Sequence, residues 1–215
     1  MYFKYGIEEI EHLKNNDKLL GEAIDKIGPI QRPLNKDLFS SLIHLIIGQQ
    51  ISTIAQKTIW ERLLVRVGEV NVKNICSLNR EELQKLGMTF RKSDYIKSFA
   101  DKVFSNEFDI NTLNAMTDEE VIKKLSTLKG IGPWTAEMLL IFCMQRPNVI
   151  SFGDLAILRG MRMLYQYQEI DKVEFKKLSK VYSPYSTVAS LYLWAIAGGA
   201  IPELSDPAPK KTKKI

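Results

Sequence analysis

Between Leu128 and Ala136 the sequence reads Leu-Lys-Gly-Ile-Gly-Pro-Trp-Thr-Ala. Two glycines one residue apart permit a tight connection, positive φ angles and close approach by another backbone. The apolar spacing upstream predicts a helix ending at Gly130, and Pro133 suits the first turn of the next helix. Ile131, between the glycines, is an apolar pin able to pack between the two. The second helix would direct its first amides and the positive end of its dipole outward, which is the chemistry of a site for one phosphate. Gly130, Gly132, Trp134 and Thr135 are its candidate contacts. Gly-Ile-Gly alone is equally satisfied by a plain helix–turn–helix connection with a glycine cap. Phe90-Arg91-Lys92 follows a Leu-Gly stop and opens another helix, so Lys92 is a candidate for a second phosphate, or simply part of a solvated helix start. Asp154 stands at the head of the helix predicted for 155–165, an N-cap position where the dipole favours a carboxylate.

The elements that must carry these residues are helical. Ile7, Ile10, Leu13 and Leu19-Leu20, then Leu38-Phe39, Leu42-Ile43 and Ile46-Ile47, recur at three- and four-residue steps, and alternating strand-like runs are hard to find. Asn79 with Glu82 and Thr117 with Glu120 have the spacing of capping boxes, and Ser183-Pro184 reads as a cap followed by a first-turn proline. Stops are expected at Gly21, Gly28, Gly68, Gly87, Gly130 and Gly160. About ten helices follow, over 7–19, 37–48, 53–67, 80–86, 92–105, 118–126, 133–144, 155–165, 173–182 and 185–197.

Composition narrows the classes. The 215 residues are 45% hydrophobic and 26% charged, which excludes collagen, coiled coil and intrinsic disorder. No apolar run reaches the ~18–20 residues needed to span a bilayer, and the first residues lack a secretory pattern. Cys76 and Cys143 alone cannot furnish a four-thiolate cluster. The expectation is an intracellular protein with no membrane partner. The net charge of +5 is concentrated at one end: Lys210, Lys211, Lys213 and Lys214 supply four of 30 basic residues, leaving 26 against 25 acidic ones up to Asp206. Bulk charge is therefore a weak argument for a nucleic-acid partner.

The segment 117–160 resembles the helix-hairpin-helix of the DNA glycosylase superfamily with its following loop and aspartate. Ile46-Ile47-Gly48-Gln49-Gln50-Ile51-Ser52 is similar to that family's strand-wedging loop, and Ser183 to Trp194 to its C-terminal helix. The blocks occur in the family's order across most of 37–196, and are most similar to the alkylpurine branch, that of 3-methyladenine DNA glycosylase II. Two departures stand out: Pro133 replaces a frequently basic residue, and Gly153 a frequent proline or acid.

The resemblance implies an all-α fold of two helical lobes with an active-site cleft between them. One lobe would comprise 1–36 plus 161–201, the hairpin lobe 37–160, and 202–215 a mobile basic tail. A compact form without the family's N-terminal β-domain is expected. Asp154 becomes the catalytic carboxylate, stabilising an oxocarbenium-like transition state and orienting water. Trp134 stands where bifunctional relatives carry a lysine, and an indole forms no imine, so hydrolysis without strand cleavage is expected. Gln50 matches the residue that fills the gap left by a flipped base. Trp134, Trp194, Tyr185 and Phe152 are candidates for the base pocket, each also readable as core. No cofactor is required and no iron–sulfur cluster is possible. Backbone carbonyls of Ser126, Leu128 and Ile131 match a site for Na+ or K+. The implied partner is double-stranded DNA containing damaged bases, bound by a monomer. The implied function is excision of 3-methyladenine and 7-methylguanine in base excision repair. A non-catalytic helix-hairpin-helix DNA-binding module and a glycosylase for oxidised purines are the alternatives.

Overall fold

The computed structural model describes residues 1–209. In chain order their α-helices are α1 (Ile7–Asn16), α2 (Lys18–Ile27), α3 (Leu38–Gly48), α4 (Thr53–Val67), α5 (Val72–Cys76), α6 (Arg80–Lys85), α7 (Phe90–Phe104), α8 (Asp118–Leu125), α9 (Pro133–Phe142), α10 (Leu155–Tyr165), α11 (Lys172–Ser179) and α12 (Ser186–Ala197). Among these residues the β pairing is confined to one isolated bridge, Tyr2 to Pro33. The chain is all-α, as its apolar spacing predicts. The described residues form two compact units: Met1–Leu34 with 145–209, and Asn35–Met144.

In the first unit, the helix expected over 7–19 is two helices. Asp17 takes an extended backbone and its Oδ1 accepts the Leu20 N–H at 2.9 Å, starting α2. Gly21, expected as a stop, lies inside α2, where a Cβ would come within 3.1 Å of Lys14 Cα. Gly160 is likewise no stop. It sits within α10, and a Cβ there would lie 2.2 Å from the Leu193 carbonyl oxygen, so the glycine permits α10 and α12 to approach backbone to backbone. Helix α12 is buried from Ser186 through Leu193 and again at Ile196 and Ala197, the pattern of a central core helix. Ser183 does not cap it. The Ser183-Pro184 bond is cis and the helix begins at Ser186.

Two expected boundaries change. Residues 145–160, including Asp154, belong with the terminal helices and not with the hairpin. The segment after Pro202 is held rather than loose up to residue 209: Arg162 of α10 grips Asp206 with Nε and Nη2 at 2.9 and 2.6 Å, and Ala208 N–H returns to Asp206 Oδ1. The guanidinium pulls the Asp206 carboxyl below its usual range. Lys210 to Lys214 lie outside the described residues.

In the second unit, α3 is the centre, with Leu42, Ile43, Ile46 and Ile47 fully buried and α4, α7 and α9 packed around it. The Asn79–Glu82 and Thr117–Glu120 capping boxes both form. Helix α5, which sequence periodicity missed, is too short to show a period. Asn71 caps it by accepting from Asn74 N–H.

Candidate functional site

The hairpin is shorter in its helix and longer in its turn than expected. Helix α8 ends at Leu125, and residues 126–132 make the connection through Leu128 N–H to Leu125 O at 3.0 Å and Ile131 N–H to Leu128 O at 3.1 Å. Ile131 is buried at 5% exposure, the apolar pin of the sequence. The two glycines do different things. Gly130 has φ +82 and a Cβ on it would strike the Tyr95 ring at 2.0 Å, so both backbone and space demand glycine. Gly132 is extended (φ −105) and is the N-cap of α9, with open space where a Cβ would go. It offers no side chain to the first-turn amides, and Pro133 at the first position has no N–H. Backbone amides at a helix start are chemically suited to an anion.

Thr135 and Lys92 are employed differently from their expected phosphate roles. Thr135 is buried at 3% exposure and its hydroxyl accepts from Gln49 Nε2 at 3.1 Å, so its side chain faces inward and only its backbone could meet an anion. Lys92 Nζ donates to the carbonyls of Ile47 and Gln49 at 2.7 and 2.6 Å. Two of the ammonium's three donors are thus taken up by the protein. Gln50 is exposed with φ +56, a left-handed conformation costly for a residue other than glycine. Of the carbonyls proposed for a monovalent cation, that of Leu128 already accepts the Ile131 N–H. A carbonyl has a second lone pair, so the set of Ser126, Leu128 and Ile131 remains chemically suited to a cation. Among the described residues no three His, Cys, Asp or Glu side chains gather as metal ligands.

Asp154, in the first unit, caps α10 and is 7% exposed. Its Oδ1 accepts the N–H groups of Ala156 and Ile157, both at 2.9 Å, and the indole Nε1–H of Trp194 at 3.1 Å. The carboxylate is therefore oriented by its own helix and by a residue of α12, at the positive end of the α10 dipole. Trp194 was expected as a pocket wall; its bond to Asp154 adds a role that residue type alone did not suggest.

The loop leading to Asp154 is built on α12. Thr187 Oγ1 donates to Arg146 O at 2.6 Å and accepts from Val149 N–H at 3.0 Å, while Thr187 N–H donates to Pro147 O. Ser186 Oγ donates to Asn148 Oδ1 at 2.6 Å, and Ser190 Oγ stands 3.1 Å from the Val149 carbonyl. All three hydroxyl residues are buried. Buried polar groups need such partners, and here the partners are the loop. Sequence reasoning missed them. The available signal was three hydroxyls at positions 186, 187 and 190, one face of an otherwise apolar helix.

The aromatic candidates divide. Trp194 is half-buried on Asp154. Phe152, two residues before Asp154, is 37% exposed and meets Phe175 edge-on at 5.2 Å. Tyr185 turns to α1, with its hydroxyl donating to Glu8 at 2.6 Å and its ring edge-on to His12. Trp134 is half-buried at the second position of α9, in the other unit.

Residues 43–184 match the sequence profile described as HhH-GPD superfamily base excision DNA repair protein. That span takes in the Gln50 loop, the hairpin and Asp154. The chain is 31% identical over 187 residues to DNA-3-methyladenine glycosylase 1 of Schizosaccharomyces pombe, covering 85% of this chain and 82% of that protein. Its structure is similar to that of a DNA-3-methyladenine glycosidase from Bacillus halodurans, with a TM-score of 0.81, 34% identity and 95% of each chain covered. It is also similar to a 3-methyladenine DNA glycosylase of Schizosaccharomyces pombe in complex with abasic DNA, with a TM-score of 0.79, 29% identity, and 88% of this chain and 96% of that one covered.

Proposed function

The chain belongs to the HhH-GPD superfamily of base excision DNA repair proteins, and from that premise we propose that it is a monofunctional DNA glycosylase for alkylated purines, 3-methyladenine and 7-methylguanine among them. The observation that carries this reading is the Asp154 carboxylate, capped by α10 and fixed by the Trp194 indole. The printed names of the relatives supply the substrate class, and the abasic-DNA complex of one of them supports damaged duplex DNA as the partner.

The chemistry follows from those residues. Breaking the bond between deoxyribose C1′ and a base nitrogen builds positive charge on the sugar. A fixed anion stabilises that charge without reorganising during the reaction, and the same carboxylate orients the attacking water. Cationic alkylpurines are good leaving groups and need no strong general acid. They also favour the face of an electron-rich ring, and Trp194, bonded to Asp154, supplies one. Gln50 fills the space left by the extruded nucleotide, and the backbone around Gly130 and Gly132 holds a phosphate. The Ser126, Leu128 and Ile131 carbonyls are the groups that would hold a monovalent cation, whose charge would strengthen the hairpin's grip on the DNA backbone.

The deciding experiment incubates the protein with duplexes carrying single defined lesions and identifies the released bases. Release of 3-methyladenine and 7-methylguanine with an intact abasic strand is expected. Borohydride trapping of a covalent adduct would contradict the monofunctional assignment. Duplex binding without release of any base would leave a DNA-binding module.

A further inference from the structure

Helix α3 ends at Gly48, and the chain then turns through Gln49 and the left-handed Gln50. A helix C-terminus carries carbonyls without intrahelical donors and the negative end of the dipole. Here a single ammonium serves two carbonyls at that end. Lys92, in the first turn of α7, donates to Ile47 O at 2.7 Å and Gln49 O at 2.6 Å. Partial burial lowers the Lys92 pKa from its ordinary value, because desolvation disfavours the ammonium.

The side chain of Gln49 runs the other way. Its Nε2 donates to the carbonyl of Gly130 at 2.9 Å and to Thr135 Oγ1 at 3.1 Å, so it grips the hairpin on both sides of Gly132. Gln56 closes a third side: its amide donates to His44 O at 2.9 Å, and it fills the place a Cβ on Gly48 would occupy. Gln50 is left exposed at the tip, outside all three attachments.

We infer that Lys92 and Gln49 are positioning residues that tie the Gln50 loop to α7 and to the phosphate-binding hairpin, presenting Gln50 already in its inserting conformation. The inference rests on the reading of Gln50 as the residue that fills the gap in a base-flipping enzyme. Its physical content is preorganisation. A loop ordered before binding loses no conformational freedom on entering the duplex, and the strain of φ +56 at Gln50 is borne by contacts that exist without DNA. Because Gln49 also holds Gly130, a phosphate seated on the hairpin and a residue pushed into the stack would be mechanically one event.

This differs measurably from a phosphate-contacting lysine. A lysine on a phosphate contributes about 0.9 to the slope of log affinity against log salt, whereas a lysine on protein carbonyls contributes nothing to it. Extrusion is read from the fluorescence of 2-aminopurine next to a lesion, and duplex affinity from salt titrations on undamaged DNA. Lys92→Met is expected to reduce extrusion by about tenfold, as befits loss of charge-assisted hydrogen bonds, and to leave the salt slope unchanged. In a Gln50→Ala background the same substitution should cost nothing further, because Lys92 acts through Gln50. Gln49→Met keeps the backbone carbonyls that Lys92 grips and is expected to show the same dependence on Gln50, providing an independent reading if Lys92→Met does not fold. A salt slope lowered by about one, or equal losses in both backgrounds, would overturn the inference. Gln50→Ala that leaves extrusion intact would instead overturn the wedge assignment, and the inference with it.

Discussion

The hairpin and the aspartate site are assembled by opposite strategies. Around Gly130 and Gly132 the candidate phosphate contacts are backbone atoms of one short turn, which closely spaced glycines, a buried Ile131 and a first-turn proline favour locally and Gln49 ties from outside. Around Asp154 the candidate catalytic group is one side chain, whose loop is held by hydroxyls of Ser186, Thr187 and Ser190 more than thirty residues later. A backbone site of the first kind tolerates many side chains but few backbone changes. A site of the second kind tolerates neither loss of its carboxylate nor loss of the distant hydroxyls that aim it. Phosphate contacts carry no base identity, so damage to the first should weaken binding uniformly, and damage to the second should stop chemistry while binding persists.

The largest expected effect is at Asp154. Asp154→Asn retains a residue able to cap α10, so melting should be unchanged. Single-turnover base release should fall by about a thousandfold, the scale of removing a preorganised electrostatic group. Near-normal release from folded protein would place the chemistry elsewhere. Next come two glycines that test the backbones of the two regions. Gly160→Ala forces a Cβ to 2.2 Å from the Leu193 carbonyl oxygen, and Gly130→Ala forces one to 2.0 Å from the Tyr95 ring at positive φ. Each should cost about 3 kcal/mol of stability in denaturant titrations. A neutral result at either would show that its helix contact yields.

Thr187→Val removes a buried hydroxyl that serves both Arg146 and Val149. A loss of about 2 kcal/mol is expected, with base release reduced, undamaged-duplex affinity kept, and Thr187→Ser restoring both stability and release. Trp194→Phe keeps a ring and drops the donor to Asp154, and should slow base release by roughly five- to tenfold, worth about 1 kcal/mol, without altering duplex binding. Weakened duplex binding would mean that Trp194 contributes to DNA affinity and not only to the carboxylate. The smallest effect is expected at Gly132→Ala, where a Cβ meets nothing within 4 Å. Stability should hold, and affinity for damaged and undamaged duplexes should drop together, by about threefold for a partly obstructed phosphate contact. A loss confined to damaged DNA would remove the hairpin from phosphate binding.

Local interactions were legible in the sequence. The helical period, both capping boxes and the buried Ile131 depend on residues a few positions apart, and the structure has them. The family was legible for the same reason, since its blocks are short runs of residue types. What depended on packing was not. Gly21 and Gly160 read as helix stops because a glycine's local meaning is conformational freedom, yet both lie inside helices as points of close approach. Lys92 read as a phosphate contact or part of a solvated helix start because it opens a helix after a Leu-Gly stop; tertiary structure brought it the carbonyls of Ile47 and Gln49. Residues 145–160 looked continuous with the hairpin and were drawn to the terminal helices by the hydroxyl face of α12. Which residue types can do the chemistry is written in the chain. Which of them are aimed, and which are engaged elsewhere, was decided by long-range hydrogen bonds, because a buried polar group takes whatever partner the fold supplies.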